Sequence, residues 1–509
     1  MHTYINEIHA KVGDQVTLKG WVSNKRSSKT VVFIVLRDGT GYCQCVIGND
    51  AVSDHEFNEA DSATLESAIE LTGTVIQDER QEGGYELQAT SFQMLHKAEE
   101  YPIAKRKGES HGVDFLMDNR HLWIRDKSQW AILKIRNSIK HAINTYFQER
   151  DFVQLDSPIF TGNAAEGSTT LFETDFYGEP AYLAQTGQLY GEAGAMAFGK
   201  IYTFGPTFRA EKSKTRRHLS EFWMIEPEMA FYNNEMNMDL IEDFLRTIVN
   251  ESIKNCATEL EILGRDIEAL KKVNQQFPRI SYDDAIQILK GEKEVNGQTS
   301  IQLLEKEIQQ VEAAIAASEK EIVERETANA QPGVKKGVKN FNQNKIDRLK
   351  GDIKDLTEQL NNLPQWLNSA KNFKHGEDLG GSDETVLTKL FDAPVMVYNW
   401  PKKIKAFYMK EVDGHPDYVK GVDVLAPEGY GEIVGGSERE SNKEILTQSI
   451  KDHNLPMEAF EWYMDLRRYG AVPHAGFGLG LERLVSWVTG VKHVREVIPF
   501  ARMYGRLFP

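Results

Sequence analysis

Phe208-Arg209-Ala210-Glu211 leads into a short basic run, Lys212-Ser213-Lys214-Thr215-Arg216-Arg217, and then into His218-Leu219-Ser220-Glu221-Phe222-Trp223-Met224-Ile225-Glu226-Pro227-Glu228. An arginine fork can hold a phosphate through two parallel hydrogen bonds, and a carboxylate beside it can accept from an amine. The apolar and aromatic runs on both sides of the cationic segment predict two antiparallel strands joined by a basic loop. On a strand, Arg209 and Glu211 would share a face. An ordinary hairpin with a solvated turn has the same local pattern. A second segment lies far downstream: Gly476-Phe477-Gly478-Leu479-Gly480-Leu481-Glu482-Arg483. It predicts a glycine-rich strand entering an amphipathic helix, with backbone open to close approach by a ligand.

Together these segments resemble motifs 2 and 3 of the class II aminoacyl-tRNA synthetases. The helical run 130–147 and the strand ending Leu155-Asp156-Ser157-Pro158 resemble motif 1, the dimer interface of that family. The resemblance implies a two-step reaction. An amino-acid carboxylate joins the α-phosphorus of ATP and releases pyrophosphate, and the aminoacyl group then passes to the terminal ribose of a tRNA.

Such a site mostly positions its substrates and neutralises charge. By resemblance Arg209 is the motif 2 arginine on the α-phosphate, and Glu211 is the adjacent acid near the adenine amino group. Arg217 and His218 lie where the motif 2 loop reaches the triphosphate. Phe222 matches the ring stacked on adenine, and Arg483 matches the motif 3 arginine on the γ-phosphate. Arg209, Glu211 and Arg483 carry the catalytic assignment. Asp423 and Glu432 match the paired acids that hold Mg2+, a cation suited to hard oxygen ligands together with phosphate oxygens.

Asn163-Ala164-Ala165-Glu166-Gly167 and Gln185-Thr186-Gly187-Gln188-Leu189-Tyr190-Gly191-Glu192 resemble the amino-acid-binding segments of the aspartate and asparagine members. The resemblance places Glu166, Thr186 and Gln188 at the substrate α-amino group. Aspartate members carry a lysine at the position of Gly191. Without it a carboxylate substrate loses a charge partner, and a buried unpaired charge is costly. At Glu226 aspartate members usually have the shorter acid. Glutamate there would accept from an amide NH2 and repel a carboxylate, while Arg439 would donate to the amide oxygen. A plainer reading, in which Glu226 simply pairs with Arg439 in the empty site, is compatible with this one. Residues 401–409, 423–427 and 467–478 also resemble the asparagine members. The expected amino acid is therefore L-asparagine, and the expected RNA is tRNA(Asn). Three other readings share parts of this pattern: an aspartate-specific ligase, an ATP-dependent enzyme forming free asparagine, and a silent RNA-binding paralogue. Gly191 and Glu226, the N-terminal module and the intact set Arg209, Glu211, Asp423, Glu432 and Arg483 count against them in turn.

The elements that must position these groups follow. Residues 1–100 alternate as five short strands with a helical stretch between the third and fourth, which predicts an OB-type barrel. Arg26 lies on its basic edge. Phe33 reads either as core or as a platform for a splayed base, and Gln44 as a reader of a base edge. The module resembles the anticodon-binding domain shared by the aspartate, asparagine and lysine members, where residues matching Phe33 and Gln44 engage the central uridine. Residues 101–129 read as a hinge and 130–509 as the catalytic domain. Within the latter, 291–373 departs from the family. Leu304, Ile308, Val311 and Ile315, then Ile346, Leu349, Ile353, Leu356, Leu360 and Leu363, follow heptad-like spacing on either side of Pro332-Gly333. This predicts an inserted antiparallel helical hairpin, with Lys335, Lys336 and Lys339 at its tip as a solvated end. The expected class is α+β: an OB-fold barrel plus an antiparallel-sheet class II catalytic domain.

The formal net charge of −16 argues against indiscriminate nucleic-acid binding and requires local basic patches. The 3 cysteines, the lack of a long apolar run and the non-signal-like start predict a reduced, cytoplasmic enzyme that does not enter a membrane. Ala501 replaces the proline usual in the family.

Overall fold

The computed structural model describes residues 2–103, 111–162, 170–213 and 215–509. Glu166 lies outside them. The chain divides into two compact units, Met1–Trp123 and Ile124–Pro509. No helix among the described residues is long and apolar enough to cross a membrane.

In the first unit, five strands close a barrel in the order β1-β2-β3-β5-β4. They are β1 (Gln15–Ser27), β2 (Val31–Arg37), β3 (Tyr42–Gly48), β4 (Ala68–Gln77) and β5 (Tyr85–His96), with helix α1 (Asp54–Ser62) between β3 and β4. Alternation sets the inside. Val32, Ile34 and Leu36 of β2 face Cys43, Cys45 and Ile47 of β3 in one core with Leu71 and Leu87. Both cysteines are therefore core residues with free thiols. Ser53 caps α1 and forms a reciprocal capping box with Glu56, satisfying backbone donors at the helix start.

The second unit is built on a sheet. Its main path uses β6 (Val153–Gln154), β7 (Lys200–Phe208), β8 (Glu221–Ala230), β9 (Arg279–Ser281), β10 (Val395–Pro401), β11 (His415–Ala426), β12 (Gly431–Glu438) and β13 (His474–Gly480). Their spatial order is β9-β10-β11-β12-β13-β8-β7-β6. The central pairs are antiparallel, and only the outer pairs β9–β10 and β7–β6 run parallel. The basic segment joins β7 to β8, as its flanking apolar runs predict. However, β7 ends at Phe208, so Arg209 and Glu211 lie in the loop rather than on one strand face. Backbone pairing continues one step further, because Arg209 N donates to Ser220 O at 3.0 Å.

Helix α2 (Lys127–Gln148) buries Ile132, Ile135, Ile139 and Ile143, whose three- and four-residue steps make one apolar stripe. From its buried side Arg136 donates to Glu482 at 2.7 Å and to Val497 O at 3.1 Å. Glu482 opens helix α7 (Leu481–Thr489), directly after β13. Its other oxygen accepts from Trp223 N of β8 at 3.0 Å. One carboxylate thus joins α2, β8 and the β13–α7 junction.

Two long helices, α4 (Ser300–Ala330) and α5 (Lys336–Asn372), form an antiparallel hairpin. Thr299 caps α4 with Gln302, and the turn places Gly333 at φ +83°, a conformation natural to glycine. Leu304, Val311, Leu363 and Ala370 root the hairpin in the core of the unit, while Ile322, Ile346 and Leu349 close the two arms further out.

Arg136→Ala would leave Glu482 buried without its guanidinium. Loss of one partner from such a pair costs about 3–5 kcal/mol, and urea unfolding of the catalytic unit should show it. Unchanged stability would mean that Glu482 finds another partner.

Candidate active site

A cleft on the sheet is lined by Arg209, Glu211, Arg217, His218, Phe222, Glu432 and Arg483. The seven residues read from the sequence as nucleotide-binding therefore come together at one place, from the β7–β8 loop, β8, β12 and α7. Arg209 lies over the Phe222 ring at 5.6 Å. Arg483 donates to Glu432 O at 2.7 Å and to its carboxylate at 3.3 Å. Arg217 donates to Glu384 at 2.6 Å, to Thr385 Oγ1 at 3.1 Å and to Gly429 O at 2.5 Å. Glu384 lies on helix α6 (Gly381–Thr388), and burial pushes its carboxyl up to about 7. His218 sits 3.4 Å from Glu211. Burial and the Arg483 charge lower its pKa below the ordinary histidine value, so the arginines supply the cleft's positive charge.

The floor of this cleft explains the glycine pattern. Gly476, Gly478 and Gly480 share one face of β13, while Phe477 and Leu479 point into the core on the other. Gly435 of β12 pairs with Gly478. A Cβ at Gly478 would press on Met224 Cε at 2.7 Å. One at Gly476 would overlap the Glu228 carboxylate.

Asp423 and Glu432 converge beside the same floor. A Cβ on Gly435 would lie 3.1 Å from Glu432 Oε1 and 3.7 Å from Asp423 Oδ1. Lys405 holds the other Asp423 oxygen, Oδ2, at 2.5 Å and lies over the Trp400 ring at 3.8 Å. Burial raises the Asp423 carboxyl, against Lys405 and with the help of Glu432. At Glu432, Arg483 and Lys405 outweigh burial and lower the carboxyl. No group of three or more potential metal-ligating side chains occurs among the described residues. Two converging carboxylate oxygens with no third protein ligand fit Mg2+, which commonly takes one or two carboxylates and completes its shell with substrate phosphates and water.

The residues read as amino-acid-binding lie deeper. Thr186 Oγ1 donates to Glu226, as do Gly187 N at 2.7 Å and Thr203 Oγ1 at 3.0 Å. Gln188 Nε2 donates to Glu192 at 3.1 Å, from the start of helix α3 (Gln188–Phe198). Arg439 does not pair with Glu226. It grips Glu228 at 2.5 and 3.3 Å and Ser437 Oγ at 2.7 Å. The physical reason is the register of β8 on β13: Glu228 stands opposite Gly476, where the missing side chain leaves room, and Glu226 is already engaged by the Thr186–Gly187 turn. Burial raises the Glu228 carboxyl despite Arg439. Gly191 has no room for a long side chain, since its Cβ would meet Ile201 Cδ1 at 3.2 Å and Glu228 Cγ at 3.3 Å.

Behind this pair is a network the sequence did not disclose. Glu192 accepts from Tyr463 and Arg467 at 2.8 Å and contacts His474 Nε2 at 2.9 Å. Burial would raise its carboxyl, but Arg467, His474 and Arg439 outweigh it and hold it well below the usual carboxylate range. These partners lie 271, 275 and 282 residues away, beyond any spacing rule. Lys405, Glu384 and Glu228 went unassigned for the same reason.

On the barrel, Phe33 is half-buried and faces outward from β2, with Arg26 lying 5.3 Å over its ring. Phe33 is opposite Val46, and Gln44 is opposite Val35. This sets Phe33 and Gln44 diagonally on one outer face, within reach of a single ligand. Gln44 Nε2 donates to Glu86 at 3.3 Å. Near the C-terminus, Ala501 is buried and Arg502 O accepts from Ser220 N at 2.7 Å, so the segment holds to the β7–β8 loop without the proline.

Comparisons with known proteins extend these observations. Residues 112–504 match the family model of class II tRNA synthetases (D, K and N), and residues 16–95 match that of the OB-fold nucleic acid binding domain. The chain is 45% identical to the asparagine–tRNA ligase of Sorangium cellulosum over 99% of this chain and 98% of that one. It is 44% identical to the asparagine–tRNA ligase of Pelotomaculum thermopropionicum over 98% and 97%. The crystal structure of asparaginyl-tRNA synthetase from Pyrococcus horikoshii complexed with asparaginyl-adenylate superposes with a TM-score of 0.81 at 34% identity, covering 100% of both chains. With a glycine-floored cleft, a closed OB barrel and matches over nearly its whole length, the chain belongs to the class II aminoacyl-tRNA synthetases, in the group of the aspartate, lysine and asparagine enzymes.

Proposed function

We propose that this chain is an asparagine–tRNA ligase: it activates L-asparagine with ATP to asparaginyl-adenylate and pyrophosphate, then transfers asparagine to the 3′ end of tRNA(Asn). The observation that carries the choice of amino acid is the charge balance at Arg439. Its guanidinium is matched by Glu228, and Gly191 supplies no second cation. A neutral amide can accept from Arg439 and donate to a carboxylate, whereas an aspartate carboxylate would meet an acid with no spare positive charge. The two nearly full-length relatives, both asparagine–tRNA ligases, support the same choice.

In the activation step the asparagine carboxylate oxygen attacks the α-phosphorus, and pyrophosphate leaves with the bonding electrons. Arg209 neutralises the α-phosphate, Arg483 the γ-phosphate, and Phe222 stacks on adenine. Arg217 and His218 meet the triphosphate from the loop. Glu211 accepts from the adenine amino group. Thr186 and Gln188, with Glu166, hold the α-amino end of asparagine, while the acids Glu226 and Glu228 face its side-chain amide. Asp423 and Glu432 are the residues that would hold Mg2+, which supplies charge neutralisation on the phosphates. Residues 1–100 bind the anticodon with Arg26, Phe33 and Gln44, 101–129 act as a hinge, and 130–509 form the catalytic domain around the 291–373 insertion. The enzyme works in the cytoplasm as a homodimer through the α2 region.

Pyrophosphate exchange with asparagine and aspartate side by side tests the reading, and faster exchange with aspartate would overturn it. Glu228→Gln should raise the aspartate-to-asparagine ratio of kcat/KM by about tenfold or more, about 1.4 kcal/mol, with little change in the KM for ATP. A ratio that moves only in Glu226→Gln would make Glu226 the side-chain reader. Lys405→Met should raise the Mg2+ concentration for half-maximal exchange by about 10–100-fold, the usual cost of losing a residue that orients a metal ligand. Mn2+ binding followed by electron paramagnetic resonance reports the same loss without turnover. A fall in kcat at unchanged metal affinity would exclude this role.

A further inference from the structure

The distal end of the α4–α5 hairpin takes no part in the site above. Charge is distributed unevenly along it. Residues 301–330 contain 7 acidic and 3 basic side chains, whereas residues 331–350 contain 6 basic and 1 acidic. A hairpin end that is merely solvated has no need to segregate its charges in this way. Lys350 approaches Glu326 at 3.6 Å. Lys335, Lys336, Lys339, Lys345 and Arg348 make no ion pair among the described residues.

The end is also built rather than frayed. Asn342 is 8% exposed, accepts from Arg325 at 3.1 Å and donates to Asn329 at 2.9 Å, tying the two arms together. Beside the lysines Phe341 is 65% exposed and Val338 49% exposed, and Asn340, Gln343 and Asn344 are exposed neutral donors. Cations interleaved with an aromatic ring and amide donors suit a sugar–phosphate backbone.

The hairpin reaches the cleft at its other end. Arg216, in the loop that also carries Arg217 and His218, donates to Glu358 of α5 at 2.5 Å. Glu358 and Lys336 are 22 positions apart on that helix, about 33 Å at 1.5 Å per residue. A nucleic-acid duplex of that length carries on the order of 20 phosphates. A chain of net charge −16 otherwise repels such a polyanion.

We propose that the basic end of the inserted hairpin, through Lys335, Lys336, Lys339 and Arg348, is a docking surface for the phosphate backbone of the tRNA whose 3′ end enters the cleft. This rests on the ligase reading above. It is an interaction of position rather than of sequence, since backbone contacts fix register without reading bases.

The test is the full-length variant Lys335→Glu/Lys336→Glu/Lys339→Glu, with the matching Lys→Arg variant as control and thermal melts to verify folding. Asparagine-dependent pyrophosphate exchange, which needs no tRNA, should stay within about twofold. Affinity for a tRNA(Asn) transcript by fluorescence anisotropy, and its KM in aminoacylation, should worsen about tenfold or more. The slope of log affinity against log salt should become shallower by about 2 to 3, at roughly 0.7–0.9 per lost phosphate contact. The Lys→Arg variant should behave as wild type. Unchanged tRNA affinity and salt slope would overturn the proposal and leave the end solvated or open to an acidic protein. Lysine-dependent tRNA binding by a chain that fails to exchange pyrophosphate with asparagine would sink the ligase reading and leave the docking surface standing.

Discussion

The Glu482 carboxylate is the joint on which the catalytic unit depends. One oxygen takes Arg136 from helix α2, and the other takes the backbone amide of Trp223 in β8. Its own backbone begins the helix after the glycine strand. Arg136 and Glu482 are both buried, so neither can lose the other to water without leaving a charge unsatisfied. The next residue is Arg483, which faces the cleft. The cleft arginine is therefore aimed by a neighbour whose carboxylate is already committed to Arg136 and Trp223. The helix that resembles motif 1 is tied into the same bond, so the element that resembles a dimer interface also braces the catalytic floor.

The site has two electrostatic regimes. In the cleft Arg209, Arg217 and Arg483 remain partly open to solvent, which suits a polyanionic ligand that comes and goes. In the deeper pocket each arginine is matched, Arg439 by Glu228 and Arg467 by Glu192, while Glu226 is held by neutral donors. Buried ion pairs of this kind contribute little net stability. Their value lies in presenting a polar cavity of fixed shape with no spare positive charge, which suits a small neutral side chain.

Much of this was legible in the chain. The barrel, the strand–loop–strand around Arg209, the glycine strand leading to Arg483 and the two-armed insertion all follow from local periodicity and punctuation, whereas pattern alone left Phe33 open between core and outer face. Three features were not legible. The end of β7 at Phe208, which frees Arg209 and Glu211 from a common strand face, is set by where cross-strand pairing stops, not by residue type. The partner of Arg439 depends on which of two acids, Glu226 or Glu228, faces the gap at Gly476, and that requires the register of two distant strands. The Glu192 network unites residues separated by more than half the chain. The spacing that reveals a helix face carries no information about contacts over such distances.

Phe222, Met224, Glu226 and Glu228 share one face of β8, because they stand at alternate positions of a strand. With about 3.4 Å per residue, the Phe222 ring and the acid beside Arg439 are separated by roughly 20 Å of paired backbone. The strand therefore acts as a ruler between the nucleotide end and the amino-acid end of the reaction. Substitutions at Glu226 or Glu228 can alter which side chain is admitted without moving the point where carboxylate and phosphorus meet. An insertion of one residue anywhere between Phe222 and Glu228 would turn one of the two ends away from the cavity. On such a ruler, amino-acid choice can drift over evolution while the spacing of the chemistry stays constant.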